Sequence, residues 1–234
     1  MVSNFRNEIS NMIDVSSVTK VFKVGKVNIT VLDKLDFRCQ ENEFTIFTGP
    51  SGSGKSTILS IIGGLTRVDE GSVNIFNNKL EKMSEEMLAL FRSTYVGFVF
   101  QTGHLINSLT VFENVMLPVE LSQRDDTNFD ERAWDLLKEF RLEDRADSLP
   151  VMISGGEYQR TAFVRALVLD PDILLIDEPT SNQDSQTTET IINKLRKLKS
   201  QRTIIVVTHD REIFPLANNI YYPVNGKLSP FKVE

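Results

Sequence analysis

The sequence predicts an α/β fold built on a parallel central sheet, with a flanking antiparallel β-subdomain and a helical subdomain. Four short runs, Phe44–Thr48, Val96–Gln101, Ile173–Asp177 and Thr203–Thr208, are almost continuous in apolar or β-branched residues. That is the composition of central strands covered on both faces. Helical periodicity lies between them. Ser56–Leu65 follows the first run, Glu131–Phe140 places Trp134, Leu137 and Phe140 on one side, and Thr187–Leu198 does so with Ile191, Leu195 and Leu198. Strands alternating with helices put the functional site at the carboxyl ends of the strands.

The N-terminal third has a different rhythm. Ile13–Lys23 and Ile29–Cys39 read as two strands joined by a turn at Gly25, and Gly71–Phe76 as a third. Phe112–Ala166 reads as mostly helical, interrupted by the polar stretch Ser122–Asp130, so a helical subdomain is expected at about 103–166 within one domain spanning 1–234. Near the end, Asn225-Gly226 between Ile220–Val224 and Lys227–Phe231 is a hairpin signal. No internal repeat is present.

Bulk composition narrows the function classes. The 234 residues are 41% hydrophobic and 25% charged, as in ordinary globular proteins. A formal charge of -6 argues against a surface built to neutralise nucleic-acid phosphates. Cys39 has no second cysteine to pair with, and with only His104 and His209 no structural zinc site is expected. No run approaches the roughly 20 apolar residues that span a bilayer. Met1–Asp14 lacks the apolar segment and cleavage site of a signal peptide, so the chain is expected to stay where it is made.

The chemistry begins at Gly49-Pro50-Ser51-Gly52-Ser53-Gly54-Lys55-Ser56-Thr57, which fits G-x-x-x-x-G-K-[ST] directly after a strand and at the opening of a helix. The glycines let successive N–H groups turn inward on a phosphate, and the helix adds its positive end. Lys55 is placed to reach β- and γ-phosphates and Ser56 to offer its hydroxyl to Mg²⁺. Apart from Pro50, the loop residues are the expected nucleotide contacts. A plain Gly/Ser turn capping a helix is the bland alternative, and it has no need of this spacing.

Ile173–Ile176 ends in Asp177-Glu178-Pro179. A strand buried on both faces should carry no charge, so these acids belong just past its carboxyl end, at the phosphate site. Asp177 suits Mg²⁺, and Glu178 suits orienting or deprotonating an attacking water. Alone, the pair could be a solvated loop. Between the two motifs lies Ile153-Ser154-Gly155-Gly156-Glu157-Tyr158-Gln159-Arg160. Ser154 with Glu157 is a capping box for a helix through Leu167. The box leaves Gly155-Gly156 unexplained, since glycines weaken a first turn unless something approaches the backbone closely. A γ-phosphate at that helix N-terminus would be such a visitor.

The last segment resembles the LSGGQ signature of ABC ATPases, with Ile153 for leucine and Glu157 for glutamine. The likeness extends through the chain in the family's order. Gln101, ending the second run, is similar to the Q-loop, Ser181-Asn182-Gln183-Asp184 to the D-loop, and His209 to the switch histidine. Phe22 is similar to the aromatic residue that stacks on adenine. Gln183 stands where the family usually has an aliphatic residue. The resemblance implies an ATPase using ATP and Mg²⁺, with Glu178, His209 and Gln101 catalytic and Ser56, Gln101 and Asp177 at the metal. It further implies a head-to-tail dimer in which Ser154, Gly155 and Gly156 act on the partner's nucleotide. Asp184 is counted among the nucleotide contacts.

A finer likeness rests on Val96–Gln101, Leu109–Val115, Leu117-Pro118, Ile62–Leu65 and a long Lys23–Val31 turn. These resemble the lipoprotein-releasing and macrolide-export ATPases and their cell-division relative (LolD, MacB and FtsE type). Such cassettes drive integral membrane subunits with few transmembrane helices from the cytoplasmic face. The stretch Leu105–Leu121 would receive the partner's coupling helix, with Leu105, Ile106, Leu109 and Val111 divided between that groove and the core. The competing class is a soluble ATPase of the same superfamily acting in DNA maintenance or translation. The DNA-maintenance heads carry an inserted coiled coil or zinc modules, and neither fits between Gly54 and Ser154; the translation factors carry two cassettes in one chain, and this sequence has one.

Overall fold

The computed structural model describes residues 12–122, 128–181 and 183–231. Residues 1–11 of the segment read as lacking a signal peptide, most of the polar stretch Ser122–Asp130, and Asn182 lie outside them.

Two sheets form the frame. The larger has the order β10-β9-β3-β8-β7-β6. Its strands are β3 (Phe44–Phe47), β6 (Val96–Val99), β7 (Ile173–Asp177), β8 (Thr203–Val207), β9 (Asn219–Val224) and β10 (Lys227–Pro230). All of its pairings are parallel except the terminal β9–β10 hairpin. The smaller sheet is antiparallel, in the order β2-β1-β4-β5, from β1 (Ile13–Val24), β2 (Val27–Cys39), β4 (Glu70–Ile75) and β5 (Asn78–Lys79).

The continuous apolar runs have a simple cause. Successive side chains of a strand face opposite ways, and each face of the large sheet meets its own core. Phe44, Ile46, Leu174, Ile176, Ile204 and Val206 point into one. That core holds α3 (Val111–Leu121), α4 (Phe129–Glu139), α5 (Gly155–Leu167) and α6 (Ser185–Leu198). Phe47, Ile173, Leu175, Ile205 and Val207 point into the other, against α1 (Lys55–Ile62), α2 (Glu85–Tyr95) and the antiparallel sheet. Burying a Leu or Ile fully stabilises by about 1.5–3 kcal/mol, so neither face tolerates a polar run.

Several expectations need correction. The predicted long turn at Lys23–Val31 is a tight one: Val24 pairs with Val27 and Phe22 with Ile29, so only Gly25 and Lys26 turn the chain. The second central run stops as a strand at Val99, leaving Gln101 beyond it in an exposed turn. Helix α1 ends at Ile62 rather than Leu65, because Gly63 and Gly64 close it, Gly64 in the left-handed region. Trp134 does not share the burial of Leu137 and Phe140. It stays 40% exposed and stacks on Phe112 at 5.2 Å. Of the Leu105–Val111 quartet, Leu105 and Val111 are core and Ile106 is exposed.

Candidate nucleotide site

The phosphate loop turns between β3 and α1. Gly54, the residue before the helix, has φ 94°, a left-handed conformation that only glycine takes without strain. No side chain caps α1, so its first N–H groups face the loop interior, the arrangement that binds an anion. Lys55 is buried. Its ammonium donates to the carbonyls of Gly49 at 2.7 Å and Pro50 at 2.8 Å, bracing the loop's shape. Burial lowers the Lys55 pKa, while Glu178 and Asp177 oppose that shift.

A cleft of about 440 Å³ opens over this loop, lined by Phe22, Ser51, Gly52, Gly54, Lys55, Ser56, Thr57, Gln101, Asp177, Glu178 and His209. These residues span the chain from β1 to the loop after β8, and the sequence had nominated all of them. Val31 and Val207 also line it and were missed. Gly49 and Ser53 form the back of the loop, where the Ser53 hydroxyl is buried without a partner among the described residues.

Asp177 closes β7 and pairs in register with Val207. Burial raises its pKa, with a Ser56 hydrogen bond and the Lys55 charge pulling the other way. Glu178 sits in the left-handed region at φ 47°, held there as its N–H donates to the Val207 carbonyl at 2.8 Å. For a non-glycine residue that conformation costs about 1 kcal/mol and is concentrated at functional sites. It aims the carboxylate at His209, whose Nε2 lies 3.3 Å from Glu178 Oε1. Burial raises the Glu178 pKa, opposed by the imidazole and backbone N–H of His209. The His209 loop is itself pinned: Asp210 N–H donates to Thr208 Oγ1, and Thr180 Oγ1 to Asp210 Oδ2 at 2.7 Å.

Two half-buried carboxylates are thus held beside one ammonium, at a cost in stability. A folded-state pKa raised above the unfolded value means the native protein binds its protons more tightly than the unfolded chain. This penalty is absent below the unfolded value and grows as pH rises through the folded one. We expect Asp177→Asn to raise the melting temperature of the nucleotide-free protein at pH 7 by about 2 °C. The gain should vanish near pH 3, and a calorimetric pH series would register both.

The signature segment lies elsewhere. Ser154 accepts from Glu157 N–H, and the Glu157 carboxylate accepts from Ser154 N–H at 2.8 Å, completing the capping box. Burial pushes the Glu157 carboxyl pKa up, but the hydrogen bonds from Ser154 and from Arg145, whose Nε lies 2.9 Å away, together outweigh it and lower the pKa. Ser154 and Gly155 are exposed at this N-terminus, outside the cleft of their own chain.

The two glycines have different reasons. A Cβ on Gly155 would meet nothing within 4 Å, whereas one on Gly156 would collide with Thr187 and Asp184 at the start of α6. Gly156 therefore has a packing reason of its own inside the chain, whereas packing gives none for Gly155. The Asp184 carboxylate accepts from Thr187 N–H and Oγ1, both at 2.8 Å, and caps α6; like Ser154 and Gly155, Asp184 stands outside the cleft of its own chain.

Comparison with known proteins bears on this geometry. The family description "ABC transporter" matches residues 32–181. The lipoprotein-releasing system ATP-binding protein LolD of Treponema denticola is 38% identical over 216 residues, 92% of this chain and 96% of that protein. An uncharacterized ABC transporter ATP-binding protein of Methanocaldococcus jannaschii is 41% identical over 223 residues, 93% of this chain and 95% of that protein. A solved dimeric ATP-binding cassette in a post-hydrolysis state, bound to ADP and Pi, superposes with a TM-score of 0.89 at 39% identity, covering 95% of this chain and 99% of its own. Likeness at this level runs from the hairpin that bears Phe22 to the loop that bears His209, and the chain accordingly belongs to the ABC transporter family, as an ATP-binding cassette that hydrolyses ATP.

Proposed function

We propose that two copies of this ATPase close head-to-tail on ATP and drive a membrane subunit from the inner face of the cell membrane. The observation that carries this reading is the exposed, capped N-terminus of α5. Ser154 and Gly155 stand exposed at the start of α5, outside their own chain's cleft, where the Ser154 hydroxyl and the first-turn N–H groups of the helix would meet a second copy's γ-phosphate. The dimeric cassette at 39% identity supports it. Residues 103–166 would be the helical arm that carries the signature, within a single domain spanning 1–234.

In this reading the phosphate loop holds the β-phosphate, Lys55 spans the β- and γ-phosphates, and Phe22 stacks on the base. The metal donors fit Mg²⁺. They are all oxygen, Ser56 already bonds Asp177, and burial leaves Asp177 in want of a cation. No cluster of three or more His, Cys, Asp or Glu able to hold an ion exists among the described residues. That suits a metal shared with phosphates rather than caged by protein. Ser56, Asp177 and Gln101 would hold Mg²⁺, which supplies charge neutralisation between the phosphates. Glu178 orients and deprotonates the attacking water, and His209 holds Glu178 and the γ-phosphate in line.

The membrane-facing side has its own site. A groove of about 920 Å³ runs between α2 and α3, with Leu65, Leu90, Ile106 and Leu121 exposed along it and Arg92 and Arg165 among its walls. A short amphipathic helix of a membrane subunit would bury these side chains. Among the described residues no helix is long and apolar enough to cross a membrane. The LolD relative supports lipoprotein release over macrolide export, and we infer a membrane partner with few spanning helices. Detergent extraction of Glu178→Gln with ATP and Mg²⁺, followed by identification of what copurifies, tests this. A partner with few spanning helices and a large external domain is expected. Recovery of DNA or ribosomes alone would overturn the membrane assignment.

A further inference from the structure

The base end of the cleft is braced from behind. Strand β1 changes register against β2 between Lys20 and Val21. A register shift of this kind releases ladder groups and re-aims side chains. Val21 stays paired with Thr30 of β2, and past the last β1–β4 pair, Thr19 with Glu70, its N–H donates to Asp69 Oδ2 at 2.7 Å, while Asp69 N–H donates back to the Thr19 carbonyl at 3.1 Å. The second Asp69 oxygen takes Lys20 Nζ at 3.2 Å. Tethered there, the Lys20 ammonium sits over the Phe22 ring, 5.3 Å from its centroid. The Lys20 side chain is only 13% exposed, whereas Phe22 keeps 40% of its surface open and lines the nucleotide cleft.

We propose that Lys20, tethered by Asp69, is a positioning residue for the nucleotide base, fixing the Phe22 ring by covering one face and leaving the other for a purine. The proposal rests on the reading that the base stacks on Phe22. Two physical effects follow. The ammonium fills one side of the ring, so Phe22 loses little rotational freedom when a base arrives. A cation on one face also draws π density from the other, which favours an electron-rich purine there. Lysine at this position is therefore not only half of a surface ion pair, a contact that alone contributes little.

The test compares ATP with inorganic tripolyphosphate, which engages the phosphate loop but has no base, by titration calorimetry on the full chain with Mg²⁺. Lys20→Met keeps the length and apolar stem and removes the charge. Its ATP affinity should fall about three- to tenfold, the range of a partly buried cation–π contact. Tripolyphosphate affinity should stay the same, and in turnover KM should rise with kcat unchanged. Lys20→Arg should restore ATP affinity, because a guanidinium can both pair with Asp69 and cover the ring. In a Phe22→Ala background Lys20→Met should have no further effect.

Equal loss for ATP and tripolyphosphate would reduce Lys20 to a general electrostatic role and overturn the proposal. No loss for either would do the same. If Phe22→Ala weakens ATP and Lys20→Met does not, stacking stands and the brace falls. If Phe22→Ala leaves ATP affinity intact, the stacking reading fails and the proposal fails with it.

Discussion

Glu178→Gln should lower the rate of ATP hydrolysis by about two to three orders of magnitude while leaving ATP binding near the native level. The substitution preserves shape and removes the basic oxygen. The strained backbone at φ 47° and its bond to Val207 do not involve the side chain, so the geometry should survive. Since burial raises the Glu178 pKa, the native enzyme should lose activity as the pH falls through that raised value, when its base is protonated. The residual activity of the variant should lack this acid limb. Steady-state turnover across pH 5–8, with nucleotide binding measured in parallel, checks both. Turnover within threefold of native would remove Glu178 from the proton-transfer role.

The second large effect separates the two signature glycines. Gly155→Arg should abolish hydrolysis, by about a hundredfold or more, without loss of fold. The space beyond its Cα is open, and arginine is a better helix former than glycine. The bulky cation would instead meet whatever docks on the α5 N-terminus. Gly156→Ala should act oppositely in kind. Its methyl collides with Thr187 and Asp184 inside the chain, so stability should fall by about 1–3 kcal/mol. Thermal melts and ATPase assays on both variants distinguish these outcomes. A Gly155→Arg chain that hydrolyses ATP normally would mean the signature end of α5 does not approach a nucleotide.

The legible parts of the sequence were those in which a residue type is dictated by one local cause. The all-apolar runs gave the parallel strands because both sheet faces are cores, and the glycine pattern of the phosphate loop has few other uses. Ser154 and Glu157 announced the start of α5 three residues apart. Helix α2 was missed although Ser84 caps it and Leu88, Phe91 and Tyr95 are buried at helical spacing; it follows a short turn that masks its start.

What stayed hidden depended on contacts distant in sequence. Gly156 has a packing reason in Thr187, and Asp184 caps α6. The left-handed turn at Glu178 is fixed by Val207, a residue of a neighbouring strand. Lys20 gains its meaning from Asp69, across a register shift that no periodicity records.

If ATP is held between two copies, the α5 N-terminus of one lies against the phosphate loop of the other. Light scattering coupled to size exclusion, on Glu178→Gln with ATP and Mg²⁺, should then register a particle of twice the 26.6 kDa chain mass. ADP should return it to single-chain mass, and so should Gly155→Arg added to the ATP-bound variant. A single-chain particle that carries bound ATP without the second substitution would rule the shared site out.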